Sequence, residues 1–152
     1  MTSKDSTGSL RFQLSSAFSG VFFVSDLQLG DYAIDGQSPR AVAIPSTEKQ
    51  LSSLLSFADS EGMSVVPYGN GNLVALGNSP ESLDIIVCTT GLKQSIDHRP
   101  GDLTATVGAG VSFGALQKYL TKTGQWLPLE APLGFHRTIG SVLAIDQSTP
   151  LT

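Results

Sequence analysis

The stretch from Pro100 to Pro132 constrains the fold more than any other part of the chain. Apolar residues alternate at its start, which predicts a strand with one inner face: Leu103, Ala105, Val107 and Ala109. A glycine turn at 108–110 follows, and then a helical pattern over about Ser112 to Thr123. A strand that runs through glycines into a helix often brings backbone N–H groups close to a ligand phosphate. Many unrelated turns share this pattern, so it predicts local structure more firmly than a ligand.

A regular order of strands and one helix precedes this stretch. Three short apolar runs predict strands at residues 41–44, 64–67 and 82–88. Thr47 and Gln50 form a capping-box pattern at the start of a helix, and Gly62 fits its C-terminal stop. The third run is almost entirely apolar, as in a parallel strand covered on both faces. We therefore predict an α+β fold with a small βαβ sheet, further strands and a second helix.

The two ends of the chain give less information. Residues 1–11 are polar and rich in serine and threonine, and we expect a loose terminus there. The apolar run 17–24 is too short to cross a bilayer and is interpreted as a strand or packing segment, with a signal peptide as the alternative. Residues 138–145 begin a further element close to the end of the sequence.

Composition excludes several functional classes. Of the 152 residues 40% are hydrophobic, which is enough for a packed core. A net charge of −4, with no cluster of basic residues, argues against a nucleic-acid surface and against direct binding to anionic membranes. The single cysteine, Cys88, excludes an internal disulfide and is expected to be a buried core residue. We expect a reducing compartment, namely the cytoplasm.

A second glycine-containing loop follows the strand at 64–67. In this loop, Gly69 and Gly71 permit positive φ, and Asn70 and Asn72 tolerate the left-handed region best among other residues. Successive N–H groups could therefore converge on an anion. The alternative is an ordinary polar turn between strands. The dinucleotide fingerprint is absent because no third glycine opens a helix, and no Gly-Lys-Ser/Thr sequence of a Walker loop occurs.

Five segments in a fixed order carry a resemblance to a known family. They are Ala43-Ile-Pro-Ser-Thr47, Val66-Pro-Tyr-Gly-Asn-Gly71, Gly101-Asp-Leu-Thr-Ala-Thr-Val-Gly-Ala-Gly-Val111, Gly124-Gln-Trp-Leu-Pro-Leu129 and Thr138-Ile-Gly140. This order resembles the FAD-binding domain of the p-cresol methylhydroxylase type, which is also called the vanillyl-alcohol oxidase type. Within this type, the motifs are most similar to those of the FAD-binding subunit of glycolate oxidase. The resemblance implies an N-terminal extension over 1–37, partly disordered, and an incomplete FAD-binding domain over 38–152.

The resemblance also implies a cofactor and the residues that hold it. FAD would be bound non-covalently, because covalent members of the family carry a histidine in or near the phosphate loop, where this chain has Asn70 to Asn72. Residues 67–73 would wrap the FAD pyrophosphate with backbone amides. Residues 132–141 would lie against the pyrophosphate and the flavin from the other side. The implied residues are Pro67, Tyr68, Gly69, Asn70, Gly71, Asn72 and Leu73, followed by Pro132, Thr138, Ile139, Gly140 and Ser141.

The implied function is the flavin-binding part of an oxidoreductase that oxidises a 2-hydroxy acid such as glycolate. Its partners would be other oxidase subunits or a missing C-terminal portion, together with a small-molecule substrate, and a partner could link it indirectly to a membrane. No catalytic residue and no metal site is assigned. The alternative is a truncated relative that acts only as a structural or interaction module, motivated by Asn70, Ser141 and Asp146, where the family has smaller residues.

Four further side chains are not assigned to the cofactor site. His98 is expected in a surface loop, and His136 is expected to be exposed. The alternative for His136 is that it faces an anionic cofactor or substrate together with Arg137, just before Thr138. Trp126 is expected to be a packing residue and not a flavin-stacking one.

Overall fold

The computed structural model describes residues 5–93, 95–129 and 134–145. The helices in this part of the chain are α1 (Asp5–Ala17), α2 (Glu48–Ser60), α3 (Phe113–Leu120) and α4 (Ile139–Ile145). The strands are β1 (Phe22–Phe23), β2 (Ala41–Ile44), β3 (Val65–Tyr68), β4 (Ile85–Cys88), β5 (Ile96–Arg99) and β6 (Thr104–Val107). The α+β class predicted from the sequence is confirmed.

The main sheet has the strand order β1-β2-β4-β3. Strands β2, β4 and β3 are parallel, so that Ile86 lies between Val42 and Val66, while β1 pairs antiparallel with β2. Every residue of β4 is buried, as expected for a central parallel strand covered on both faces. Helix α2 connects β2 to β3, and β4 then inserts between them. The parallel strands therefore end at a common carboxyl edge.

Helix α2 begins and ends where the sequence predicts. The Thr47 side chain accepts a hydrogen bond from the Gln50 N–H, and the Gln50 side chain accepts one from the Ser46 N–H at 2.8 Å. At the other end Gly62 has φ +63, and the next N–H, of Met63, bonds back to the carbonyl of Ala58. These contacts satisfy groups that the helix ends would otherwise leave unpaired.

The N-terminal region departs from the sequence-based expectation. Residues 5–11 are the first part of helix α1, so the prediction of a loose terminus is wrong for them. Leu10 and Leu14 lie one helical turn apart and are buried in the same cluster as Ala41 and Ile85. Tertiary packing of these two leucines outweighs the weak local preference of a serine-rich sequence.

The carboxylate of Asp84 holds together the amino ends of the parallel strands. Its Oδ1 accepts from Arg40 Nη1 at 2.8 Å, and its Oδ2 accepts from the N–H and the hydroxyl of Ser64, both at 3.0 Å. Burial pushes the pKa of Asp84 upward, but the hydrogen bonds from Arg40 and Ser64 outweigh burial and leave the pKa below its ordinary value. This clamp fixes the edge of the sheet opposite to the carboxyl ends.

A second layer consists of the β5–β6 hairpin and helix α3. The hairpin pairs antiparallel, with His98 opposite Ala105. Apolar residues of α3 and its flanks form a separate core: Val111, Phe113, Leu116, Leu120 and Ile139. The expectation of a loop position for His98 is wrong, since it lies half-buried on β5 with Nε2 2.7 Å from Gln125 Oε1. The strand was missed because its Asp-His-Arg sequence has low strand preference.

The predicted strand around residue 103 is shorter than its alternation suggests. Pro100–Asp102 form a 3-10 turn, and Leu103 leaves it in the left-handed region with φ +55 and 79% of its surface exposed. Strand β6 therefore begins at Thr104. The alternating pattern wrongly included Leu103 in the strand, because hydrophobic periodicity does not reveal a residue in the left-handed region.

The glycine turn at 108–110 is a packing element. The N–H of Gly108 bonds to Ser95 O at 3.0 Å and that of Gly110 to Leu92 O at 2.9 Å. A Cβ at Gly110 would overlap the Thr89 carbonyl oxygen, so the backbones approach as closely as glycine permits. Carbonyls of the same turn receive the first N–H groups of α4: Ala109 O accepts from Gly140, and Val111 O accepts from Ile139. The turn thus fixes α4 beside the end of β4.

Within the described residues, none of the helices has the length and hydropathy required to cross a bilayer.

Candidate functional site

A cavity of about 440 Å³ opens at the carboxyl edge of the main sheet. Its wall consists of the end of β3, the residues after it and one side of α4. The described lining residues are Ile34, Val66, Pro67, Tyr68, Gly69, Asn70, Gly71, Asn72, Leu73, Val74, Leu76, Asn78, Pro80, Thr89, Arg137, Thr138, Gly140, Ser141, Ala144 and Ile145. A cavity of this size at the carboxyl ends of parallel strands is a common ligand position in α/β sheets.

The loop from Gly69 to Leu73, named here the 69–73 loop, offers backbone donors to this cavity. Within the described residues, no backbone or side-chain acceptor takes the N–H groups of its five residues. The five residues are exposed or half-buried, so water satisfies these N–H groups in the absence of a ligand, and the loop can offer several donors to a ligand with acceptor oxygens.

Gly71 is required by both conformation and space. Its φ is +76, which side chains other than glycine rarely adopt. A Cβ at this position would also overlap the hydroxyl oxygen of Tyr68. The Tyr68 hydroxyl therefore lies directly against the Gly71 backbone, and both residues line the cavity.

Gly69 is required by the approach of α4. A Cβ on Gly69 would lie 2.8 Å from Thr138 Oγ1 and 3.6 Å from Ser141 Cβ. The backbone of the 69–73 loop therefore packs directly against the side chains of Thr138 and Ser141 at the start of α4. The two segments that the sequence assigned to cofactor binding are brought together at this contact.

Asn70 joins the same two segments by a hydrogen bond. Its side-chain Nδ2 donates to the carbonyl oxygen of His136, 66 residues later in the chain. The asparagine side chain is therefore directed toward the segment before α4. It does not block the N–H groups of its own loop.

The first three N–H groups of helix α4 are already hydrogen-bonded within the protein. The N–H of Ile139 bonds to Val111 O at 2.8 Å, that of Gly140 to Ala109 O at 2.9 Å, and that of Ser141 to Thr138 Oγ1 at 3.3 Å. The donors available to a ligand therefore come from the 69–73 loop and not from the start of α4.

A second cavity, of about 370 Å³, adjoins the same loop. It shares Tyr68, Gly69 and Asn70 with the first and is also lined by Tyr32. The Tyr32 and Tyr68 rings lie 5.4 Å apart between centroids. Burial raises the pKa of both phenols, and the nearby Cys88 raises them further. Both tyrosines are therefore neutral at physiological pH.

Most predicted site residues that the structure describes line the first cavity. These are Pro67 to Leu73, Thr138, Gly140 and Ser141. Ile139 is different, since its side chain is 6% exposed and belongs to the core around α3. Pro132 and Asp146 lie outside the described residues.

The exposure of three other side chains can be compared with the predictions from the sequence. Cys88 is 2% exposed, which confirms the prediction of a buried thiol, and burial raises its pKa to about 11. His136 is exposed, as expected. Trp126 is 56% exposed, so the prediction of a packing residue is wrong. Its segment follows α3 along the surface, where the neighbouring Leu127, and not the tryptophan, packs against the core.

Arg137 and Thr89 are cavity residues that the sequence did not assign to the cofactor site. The sequence offered only the alternative that Arg137 and His136 face an anionic ligand, and Arg137 proves to be 1% exposed and part of the cavity wall. Thr89 directly follows β4, so it reaches the same sheet edge as the 69–73 loop. That position could have been predicted, because the carboxyl ends of adjacent parallel strands share an edge.

Comparison with known proteins agrees with this geometry. The model of the family described as "FAD binding domain" matches residues 39–150. A solved structure described as p-cresol methylhydroxylase with substrate bound superposes with a TM-score of 0.59 at 18% identity, over 84% of this chain and 27% of that chain. The fold predicted from the resemblance is therefore confirmed.

Two curated relatives have similar sequences. A probable mitochondrial D-lactate dehydrogenase of Danio rerio is 25% identical over 60% of this chain and 18% of its own length. A D-2-hydroxyglutarate dehydrogenase of Xanthomonas citri pv. viticola is 22% identical over 72% of this chain and 23% of its own length. The chain thus spans less than a quarter of the curated relatives it matches.

The described residues fit an FAD pyrophosphate. The unpaired N–H groups of the 69–73 loop are the donors that phosphate oxygens require, and Gly71 removes the Cβ that would fill the space against Tyr68. Asn70 and Ser141, which differ from the family pattern, are both engaged in hydrogen bonds within the protein. The loop backbone therefore remains accessible.

Proposed function

The chain belongs to the family of FAD-binding domains, and on that basis we propose that it is the flavin-binding part of an oxidoreductase that oxidises a 2-hydroxy acid. The observation that carries the proposal is the 69–73 loop, whose five N–H groups have no acceptor within the described residues and line a cavity of about 440 Å³. The loop would hold the pyrophosphate of FAD through backbone donors.

The chain's own residues would orient the cofactor in three ways. The 69–73 loop donates N–H groups, Tyr68 packs against the loop, and the contact of Gly69 with Thr138 fixes α4 against it. Apolar residues such as Val66 and Val74 line the remaining wall. When bound, the flavin would take the two electrons released by the hydroxy acid.

Binding is proposed to be non-covalent. The 69–73 loop contains neither histidine nor cysteine, and burial of the Cys88 thiol raises its pKa to about 11. A thiol with so high a pKa is a poor nucleophile at neutral pH. Flavin should therefore leave the protein on denaturation.

The substrate proposal rests on the names of the relatives. D-lactate and D-2-hydroxyglutarate are both 2-hydroxy acids, and the relatives named for them share 25% and 22% of aligned residues with this chain. Glycolate, the smallest 2-hydroxy acid, is the substrate we propose from the sequence resemblance. Groups that bind the acid would come from sequence beyond this chain or from a partner subunit, so we expect no turnover by the chain alone.

The alternative is a module that no longer binds FAD. Its motivation was the presence of larger residues at Asn70, Ser141 and Asp146. The first two have side chains that bond within the protein, which favours the flavin proposal.

A reconstitution experiment separates the two proposals. The purified chain, shown to be folded by circular dichroism, is incubated with excess FAD, desalted and denatured. We expect close to one FAD released per chain. A folded protein that releases no flavin would favour the structural module.

A further inference from the structure

A tight turn at residues 34–37 forms part of the wall of the first cavity. The N–H and the carbonyl of Ile34 both bond to Gln37 at 2.9 Å, and Asp35 and Gly36 have φ values of +48 and +82. Positive φ at both central residues is typical of a type I′ turn, which aspartate and glycine tolerate. The Ile34 side chain is 7% exposed and lines the cavity. The turn therefore has a defined shape and contributes one apolar side chain to the wall.

The turn makes two hydrogen bonds to a distant segment of the chain. Ser79 Oγ donates to Asp35 Oδ2, and Gln37 Nε2 donates to the carbonyl oxygen of Pro80 at 3.0 Å. These contacts join residues that are 44 and 43 positions apart. Pro80 itself lines the cavity. The turn is therefore tied to a second segment that contributes to the same wall.

Residues 77–82 have few other constraints on their backbone. They belong to no helix or strand, and within the described residues their hydrogen bonds are the two to the 34–37 turn. A segment held by so few hydrogen bonds changes position readily when those bonds are lost. The turn therefore determines where this part of the cavity wall lies.

The wall that the turn helps to build is largely apolar. Four apolar residues line the cavity together with the 69–73 loop: Ile34, Val74, Leu76 and Pro80. Backbone donors of the loop suit phosphate oxygens, whereas an apolar wall suits a ring system. FAD carries both kinds of group in one molecule, so the wall and the loop would bind different parts of it.

We propose that Asp35 and Gln37 are positioning residues of the cofactor site, which hold residues 78–80 so that the apolar wall can receive a ring of FAD. The inference rests on the proposed function. The turn precedes residues 39–150, which the family model matches, so family membership does not assign this role to it. The proposal predicts that the affinity for FAD depends on the turn, whereas the affinity of the 69–73 loop for pyrophosphate does not.

Four variants of the full chain separate the hydrogen bond of the turn from its backbone shape. Asp35→Gly tolerates positive φ but removes the acceptor, whereas Asp35→Asn tolerates positive φ and keeps an acceptor oxygen. Ser79→Ala removes the donor, and Ser53→Ala is the matched control at an exposed position on α2. Because the bond between Asp35 and Ser79 lies at the surface, all four variants should unfold in urea like the wild type.

Fluorescence titration measures the affinity for FAD, and amide shifts of the 69–73 loop measure the affinity for inorganic pyrophosphate. We expect Asp35→Gly and Ser79→Ala to weaken FAD binding by about 3- to 10-fold, as for loss of one hydrogen bond. The double variant should bind no more weakly than the single variants, because both remove the same bond. Asp35→Asn and Ser53→Ala should bind FAD like the wild type. The affinity for pyrophosphate should be the same in all variants.

Wild-type FAD affinity in both Asp35→Gly and Ser79→Ala would overturn the inference. An equal loss of FAD and pyrophosphate affinity would overturn it too, since it indicates a general disturbance of the fold, and so would an Asp35→Asn variant that binds FAD as weakly as Asp35→Gly. If Asp35→Gly does not fold, Ser79→Ala decides alone. A wild-type chain that binds neither FAD nor pyrophosphate is a separate result, which refutes the proposed function itself and the inference with it.

Discussion

The side-chain amide of Asn70 donates a hydrogen bond to the carbonyl oxygen of His136, and this bond joins the two segments of the candidate cofactor site. The segments are far apart in sequence, and their second contact is between Gly69 and Thr138. The bond keeps the 69–73 loop close to α4, and all five residues of the loop line the cavity.

Loss of the Asn70 amide should loosen the site more than the fold. Because a neutral hydrogen bond contributes about 1 kcal/mol, we expect Asn70→Ala to weaken FAD binding roughly fivefold to tenfold. Asn70→Asp should weaken it further, since it places a carboxylate next to the His136 carbonyl and the pyrophosphate. Fluorescence titration with FAD measures both effects. Equal affinities for the two variants would contradict the assigned role of the amide.

Gly71→Val should abolish FAD binding and leave secondary structure intact. The valine would be strained at φ +76 and would overlap Tyr68. Gly62→Val is the matched control, because Gly62 has φ +63 but open space around it, away from the cavity. Both variants should lose about 1–2 kcal/mol of stability from backbone strain. If Gly71→Val binds FAD as well as Gly62→Val does, the pyrophosphate has been assigned to the wrong loop.

The Asp84 clamp should make stability depend on acid pH. The pKa of Asp84 is lowered in the folded state and is about 3.9 in the unfolded chain. Its contribution is therefore fully present above the unfolded pKa and is lost as pH falls through the folded pKa. We expect Asp84→Asn to cost about 2 kcal/mol near pH 7 and progressively less below pH 4.

Urea denaturation between pH 2.5 and 7 measures this dependence. Asp59→Asn, at an exposed position on α2, serves as the control. A stability difference between wild type and Asp84→Asn that stays constant across this range would refute the clamp.

The Cys88 thiol should be inert in the native protein. With a pKa of about 11, its thiolate fraction at pH 8 is about 0.1%, compared with about 25% for an unperturbed cysteine. Alkylation by iodoacetamide should therefore be at least about 200-fold slower in buffer than in urea. Mass spectrometry follows the modification, and similar rates in both solvents would mean that Cys88 is accessible.

Local signals predicted those parts of the fold that depend on neighbouring residues. The cap at Thr47, the stop at Gly62 and the buried strand Ile85–Cys88 all follow from short patterns. Helix α1 and strand β5 were missed because distant packing stabilises them: Leu10 and Leu14 pack on the main sheet, and His98 pairs across a hairpin. Such contacts leave little trace in local preference.

In the candidate site, too, local patterns predicted some features, while features that depend on distant packing were missed. The glycines of the 69–73 loop were visible because positive φ restricts residue type. The burial of Arg137 could not be predicted from sequence, since its backbone carbonyl bonds to the N–H of Phe113 at the start of α3, which is distant in sequence.

The most direct measurement of the central claim is the response of individual backbone N–H groups to FAD. Two-dimensional ¹⁵N–¹H spectra of the labelled chain, recorded with and without FAD, report each group separately. We expect the largest shifts at Gly69, Asn70, Gly71, Asn72 and Leu73, and small shifts at Gly108 and Gly110, whose N–H groups are already bonded. Spectra in which FAD binds but leaves the 69–73 loop unshifted would contradict the account.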